Sequence, residues 1–125
     1  MKRLVAAFFL FALALSIALA GHFYIRSSAK KMIEFFEKDR SLTVADGMSS
    51  HDRAEKIQNE WNKRETLFVA ILPHSELDEI EINIMHLTDF NSQGLTEEYI
   101  KSLNECINRL EHIRETENID FKNIF

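Results

Sequence analysis

The chain has 125 residues, enough for one hydrophobic core and too few for two, and it contains only three Gly and one Pro. Alternating apolar and polar runs are scarce, so we predict an all-α fold. From residue 65 to the end there are thirteen acidic and four basic residues, a balance of −9. This acidity argues against a nucleic-acid partner, because phosphate binding needs clustered Lys and Arg.

An apolar segment from Leu4 to Ile25 follows the basic pair Lys2 and Arg3. About 22 residues with a helical rise of about 1.5 Å each are long enough to cross the hydrocarbon core of a bilayer. We therefore predict a transmembrane anchor over residues 1–25 that contacts lipid through residues 4–25. A soluble acidic domain would then occupy residues 26–125.

The alternative for this segment is a signal peptide over residues 1–20, since residues 18–20 read Ala-Leu-Ala, a fair cleavage site. The apolar run exceeds the usual signal core of about 7–15 residues. An apolar stripe with helical spacing also continues beyond the site, through Ile25, Ala29, Met32 and Phe36. We favour a retained single-pass anchor in the cell membrane, with the soluble domain outside the cytoplasm.

Four amphipathic segments follow, at about residues 26–40, 51–72, 75–91 and from 96 onward. Pro73 separates the second from the third, and Gln93-Gly94 the third from the fourth. The predicted N-caps are Ser49 or Ser50, Ser75 and Thr96. This pattern predicts an antiparallel bundle of three to four helices; in the three-helix alternative the second and third segments form one kinked rod.

The predicted core residues of the bundle share the apolar faces of these segments: Trp61, Leu77, Ile80, Leu103, Ile107 and Leu110. The single cysteine, Cys106, lies on the same face of the fourth segment and is expected to be a buried thiol. Arg64 interrupts the apolar stripe of the second segment. We expect its stem to pack and its head to reach water, the alternative being a carboxylate partner.

The candidate metal ligands are His74, Asp78 and His112, because the start of the third segment would lie beside the end of the fourth. Imidazole and carboxylate groups bind divalent transition metals. The same geometry also gives a hydrogen-bonded cluster that fixes helix register, and we favour that interpretation. A pH sensor is a further possibility, since histidines beside carboxylates titrate near neutrality.

Several segments resemble a known family: Trp61, His74-Ser75-Glu76-Leu77-Asp78, Leu110-Glu111-His112 and the ending over residues 118–125. They are similar to the bacterial domain-of-unknown-function family numbered 4363. The resemblance implies one N-terminal span and a helical remainder, and it supplies no catalytic residue. Pro73 departs from the family pattern.

The C-terminal tail contains four large apolar residues, which we expect to fold back onto the bundle or to bind a partner: Ile119, Phe121, Ile124 and Phe125. The sequence has no Glu-x-x-His pair, Gly-rich phosphate loop, Cys-x-x-Cys pair or nucleophile elbow. We therefore predict a non-enzymatic accessory or interaction module, without a cofactor, for a membrane or envelope protein. The alternative is a metal-binding or pH-sensing protein that uses His74, Asp78 and His112.

Overall fold

The computed structural model describes the backbone of residues 1–124 and the side chains of residues 1–116. It contains four helices and, in the described part, no strand: α1 Lys2–Asp46, α2 His51–Ile71, α3 His74–Ser92 and α4 Thr96–Ile124. The predicted all-α fold is confirmed. The side chains of the predicted tail site, Ile119, Phe121, Ile124 and Phe125, lie outside the described residues.

Helix α1 is continuous from the apolar N-terminal segment into the bundle. At about 1.5 Å per residue it is about 68 Å long, and its first buried residue is His22. From Ile25 onward one face of the helix is buried, as the predicted stripe requires. The helix ends at Gly47, whose φ of 71° gives the left-handed C-cap that glycine adopts without steric cost.

Helices α2 and α3 are separate, so the bundle has four helices and the three-helix alternative is wrong. Pro73 lies between them, and the Leu72 N–H closes the last turn of α2 on Phe68 O at 2.8 Å. Pro73 occupies the N-cap position of α3, so Ser75 lies inside the first turn of the helix. The prediction of Ser75 as the N-cap is therefore wrong.

The other two predicted N-caps have different outcomes. Ser50 caps α2, accepting a hydrogen bond from the Arg53 N–H at 3.5 Å, as predicted. Thr96 is already the first residue of α4, so the N-cap prediction there is wrong by one position. The turn before it is made by Gly94, with a φ of 70°.

The helices form a closed ring in which each packs against the next and α4 packs against α1. In the described part, no Cα atom of α1 lies within 8 Å of one in α3, nor one of α2 within 8 Å of one in α4, so these two pairs are diagonal. This is an antiparallel four-helix bundle with one core. The predicted core residues are all buried in it: Trp61, Leu77, Ile80, Leu103, Ile107 and Leu110. Trp61 stacks on Phe68, with ring centroids 5.6 Å apart.

Candidate functional site

The predicted metal ligands lie where the first turns of α3 pass alongside α4, but they do not converge. His112 Nε2 is 3.7 Å from Glu76 Oε1, so the carboxylate that faces it is Glu76 and not Asp78. Asp78 and His74 are exposed. Within residues 1–116 no three His, Cys, Asp or Glu side chains are grouped so that they could hold a metal ion. Metal binding by these three residues stays a prediction.

A buried polar network joins three helices around Asp39 of α1, which is 2% exposed. The Tyr99 hydroxyl of α4 donates a hydrogen bond to Asp39 Oδ2 at 2.5 Å. Arg53 Nε of α2 donates to Asp39 Oδ1 at 2.8 Å, and Thr43 Oγ1 donates to the same oxygen at 3.2 Å. Both oxygens of the buried carboxylate are satisfied, which offsets much of the cost of taking the charge out of water.

The electrostatics of this network keep the proton on Tyr99. Burial raises the pKa of Tyr99, and the adjacent Asp39 carboxylate raises it further, against a weaker opposite effect of Arg53. Tyr99 is therefore a hydrogen-bond donor, and Arg53 supplies the compensating positive charge. Arg53 Nη1 is also 3.7 Å from Asp46 Oδ2. The arrangement clamps α1, α2 and α4 together, and none of its residues was predicted as a site.

The sequence did contain a signal for this network. The alternating spacing of four and three residues that ends at Phe36 reaches Asp39 and then Thr43 when it is continued. Both are buried, with 2% and 0% exposure. A carboxylate and a hydroxyl on the buried face of a helix predict partners on neighbouring helices, because a buried charge is retained only when it is paired.

A groove with basic walls lies between α1 and α2, and we call it the α1–α2 groove. Three adjoining cavities of about 310, 420 and 160 Å³ form it, from Tyr24 at one end to Leu42 at the other. Its charged lining consists of six basic and two acidic residues: Lys31, Lys38, Arg53, Lys56, Lys63 and Arg64, with Glu34 and Asp39. The groove is thus positive although the chain as a whole is acidic.

Phe35 lies at the centre of the groove, packed against the core. Lys56 Nζ is 5.3 Å and Arg64 Cζ 6.0 Å from the centroid of its ring, within the range of cation–π attraction. No described carboxylate is within ion-pair distance of Lys56, nor of Lys31 or Lys38. These three ammonium groups are therefore available to an anionic partner.

Arg64 differs from the expectation that its head would reach water. Its side chain is only 15% exposed, and Nη1 lies 2.6 Å from Glu60 Oε2, so the carboxylate-paired alternative is correct. The Arg64 hydrogen bond lowers the pKa of Glu60, with a smaller contribution from Lys63. Burial between α1 and α2 explains the pairing, since a guanidinium that loses water needs a new acceptor.

The N-terminal part of α1 has a different surface. Its most apolar stretch of 18 residues has a mean hydropathy of 2.5, and none of that stretch is buried. The helix is long and apolar enough there to cross a membrane. Phe8, Phe9, Leu10 and Phe11 are each between 67% and 68% exposed. Contiguous exposed apolar surface of this extent marks a contact with lipid or protein.

The fold and these surfaces define a four-helix bundle whose first helix extends into an exposed apolar segment. The chain belongs to the family described as Domain of unknown function (DUF4363), whose model matches residues 19–124. The comparisons with curated proteins and with solved structures gave no match. The family match begins three residues before His22, where α1 first becomes buried, so the matched range contains the packed part of α1 and the three helices that follow.

Proposed function

We propose that this chain is a non-enzymatic interaction module that α1 holds at the cell membrane, with the bundle outside the cytoplasm, and that binds a membrane or envelope protein. The observation that carries the proposal is the continuity of α1, which runs from the exposed apolar segment into the buried core without a break. A bundle attached in this way stays close to the bilayer. Its partner is then a protein in the same membrane or in the layer next to it.

The anchor is supported by the amount of apolar surface that α1 leaves outside the bundle. Large side chains from Leu4 to Ile17 are exposed, and burying apolar area in lipid is favourable by about 25 cal/mol per Å². The competing outcome is removal of residues 1–20 as a signal peptide. That cleavage would leave His22 and the whole buried face of α1 in the mature chain, so the bundle would still form.

Two measurements on cells that produce the full chain test the anchor. Membrane fractionation should recover the protein with the lipid, resistant to alkaline carbonate, and N-terminal sequencing should begin at or next to Met1. A mature N-terminus at Gly21 would show that the segment is a signal peptide. Protease added outside intact cells should degrade the bundle; a fully protected bundle would place the domain on the cytoplasmic side.

The partner is tested by crosslinking in native membranes followed by purification and mass spectrometry. We expect one membrane or envelope protein to be enriched with the wild-type chain. Recovery of a free monomer only would contradict the proposal.

A second candidate is a metal-binding or pH-sensing role for His74, Asp78 and His112, and the contact between His112 and Glu76 supports only the pH-sensing part of it. Protonation of an imidazole that faces a carboxylate turns a weak contact into an ion pair. Stoichiometric zinc, iron or manganese that is lost in His74→Ala would support metal binding. A change in stability between about pH 5 and 8 that disappears in His112→Gln would support pH sensing, and a flat profile without bound metal would eliminate both.

A further inference from the structure

The outer face of α3 is the complement of the α1–α2 groove. Four exposed residues follow one line along this face, Asp78, Ile82, Met85 and Asp89, and the two apolar ones are 46% and 58% exposed. The α1 wall of the groove has the same spacing, in Lys31, Phe35, Lys38 and Leu42. One face carries carboxylates around two apolar side chains, and the other carries ammonium groups around an aromatic ring.

These two surfaces cannot meet within one chain, because both face outward and α1 and α3 occupy opposite corners of the bundle, with no pair of Cα atoms within 8 Å in the described part. Each therefore lacks a partner in the described part of the molecule. Charge complementarity between two faces of one protein is satisfied when the groove of one copy receives the α3 face of the next. The geometry points to a second copy of this chain as the occupant of the α1–α2 groove.

The helix register places the two faces at the same level of the bundle. Arg109 of α4 contacts Glu79 of α3 at 3.7 Å. Asp89 lies as many residues after Glu79 in α3 as Tyr99 lies before Arg109 in α4. Because the two helices are antiparallel, Asp89 is therefore level with Tyr99. Tyr99 in turn donates its hydrogen bond to Asp39, the residue that follows Lys38. Asp89 therefore lies at the height of Lys38. Moving one helical turn towards the N-terminus of both α1 and α3 places Met85 near the height of Phe35.

Equal height matters because this inference rests on the membrane anchor proposed above. Two chains held in one bilayer by α1 point the same way and cannot slide past each other along the membrane normal. Their matching faces are then in register without any rearrangement, and α3 of one copy lies parallel to α1 of its neighbour. A short peptide free in solution would gain nothing from this alignment, which favours a second anchored copy.

The contact joins two different surfaces, so in a pair one copy retains a free α3 face and the other retains a free α1–α2 groove. Such heterologous contacts build closed rings or open rows and do not stop at a symmetric pair. In a membrane, the row or ring would lie in the plane of the bilayer. The predicted unit is thus a lateral assembly of bundles, in which every α1–α2 groove is filled except the one at the end of an open row.

The test uses the full chain reconstituted in vesicles, with one cysteine introduced in each variant beside one of the two faces; the native Cys106 is buried and does not reach either face. Glu34→Cys lies on the groove wall, and His86→Cys lies on α3 at a similar height; both changes leave the complementary charges in place. Oxidation of vesicles that contain both variants in one bilayer should produce a disulfide-linked dimer between the two variants. The matched control replaces Glu34→Cys by Lys101→Cys, on the exposed side of α4 at a comparable height, where no dimer above background is expected.

Charge reversal provides the second measurement. Lys38→Asp with Lys56→Asp should lower the yield of the Glu34→Cys/His86→Cys dimer about tenfold, and high salt should act in the same direction. Adding Asp89→Lys on the partner copy should restore part of the yield. Circular dichroism of each variant verifies that the bundle is folded.

The outcomes separate the contact from the anchor. Flotation of the same vesicles reports whether the chain is membrane-bound. A chain that does not float overturns the anchor and with it the argument from height. A chain that floats, yet crosslinks Glu34→Cys with His86→Cys no better than Lys101→Cys with His86→Cys, overturns self-association alone.

Discussion

Replacing Tyr99 by Phe removes one hydroxyl from the centre of the bundle and should cost about 2 kcal/mol of unfolding free energy, the usual contribution of a hydrogen bond to a charged group. The bond to Asp39 is 2.5 Å long, and the two residues are 0% and 2% exposed, so water cannot replace the lost donor without opening the core. Asp39 Oδ1 keeps its bonds to Arg53 and Thr43, which limits the loss. For a bundle of about 100 residues, 2 kcal/mol corresponds to a Tm decrease of about 8–16 °C.

The assay is urea unfolding of the full chain in detergent, followed by the fluorescence of Trp61. The chain has a single tryptophan, it is fully buried, and it stacks on Phe68, so its emission reports on the bundle and not on the apolar segment. The matched control is Tyr24→Phe. Tyr24 is 39% exposed, and its substitution should change the free energy by less than about 0.5 kcal/mol.

A double-mutant cycle identifies the cause of the effect. In the Asp39→Asn background the acceptor is neutral, so Tyr99→Phe should then cost about 1 kcal/mol or less. The alkaline limb gives an independent measurement. Because the pKa of Tyr99 is raised in the folded protein, the unfolded chain loses the Tyr99 proton at a lower pH. The stability that the protonated Tyr99 contributes is therefore present below about pH 10 and is lost as pH rises further. Tyr99→Phe should reduce that loss. A Tyr99→Phe protein as stable as the wild type would refute the hydrogen bond to Asp39.

Three further predictions concern single groups. Burial, and after it the neighbouring Glu65, raises the pKa of Glu81. The folded state therefore holds this proton more tightly than the unfolded chain, and the stability that this gives below the unfolded pKa is lost as pH rises. Glu81→Gln should stabilise the protein by about 0.5 kcal/mol at neutral pH, and urea titrations near pH 4 should show no such gain. Burial raises the pKa of Cys106 to about 12, so a thiol reagent should label it on the order of a hundredfold more slowly than in denatured protein; rapid labelling of the native chain would contradict its burial. Gly47→Ala forces a side chain into a φ of 71° and should lower the unfolding free energy by about 1 kcal/mol, and an unchanged value would mean that α1 ends elsewhere.

The helices could be predicted from the sequence because their apolar spacing is local. The stripe from Ile25 to Phe36 identified the buried face of α1, and Pro73 identified the break between α2 and α3. N-caps were less predictable, because moving a helix start by one residue removes a side chain from the capping position, as Ser75 shows.

The sites depend on contacts between helices, and these could be predicted only in part. The proximity of α3 and α4 placed His112 beside the start of α3 correctly. The carboxylate that it meets is Glu76, because successive residues turn by about 100° around a helix and Asp78 therefore points elsewhere. The apolar stripe continued to Asp39 predicts a buried carboxylate that needs partners, but no local pattern identifies those partners as Arg53 and Tyr99, because both are distant in sequence.

The absence of a linker between the apolar segment and the bundle determines how far this protein can reach. From His22 to Asp46 the packed part of α1 is about 37 Å long, and no turn interrupts the described helix that carries it. A domain on a flexible tether explores a wide volume and meets partners by chance encounters. If α1 is the membrane anchor proposed above, the bundle attached to it instead samples a thin layer of fixed thickness, so it can bind only what other molecules present within that layer.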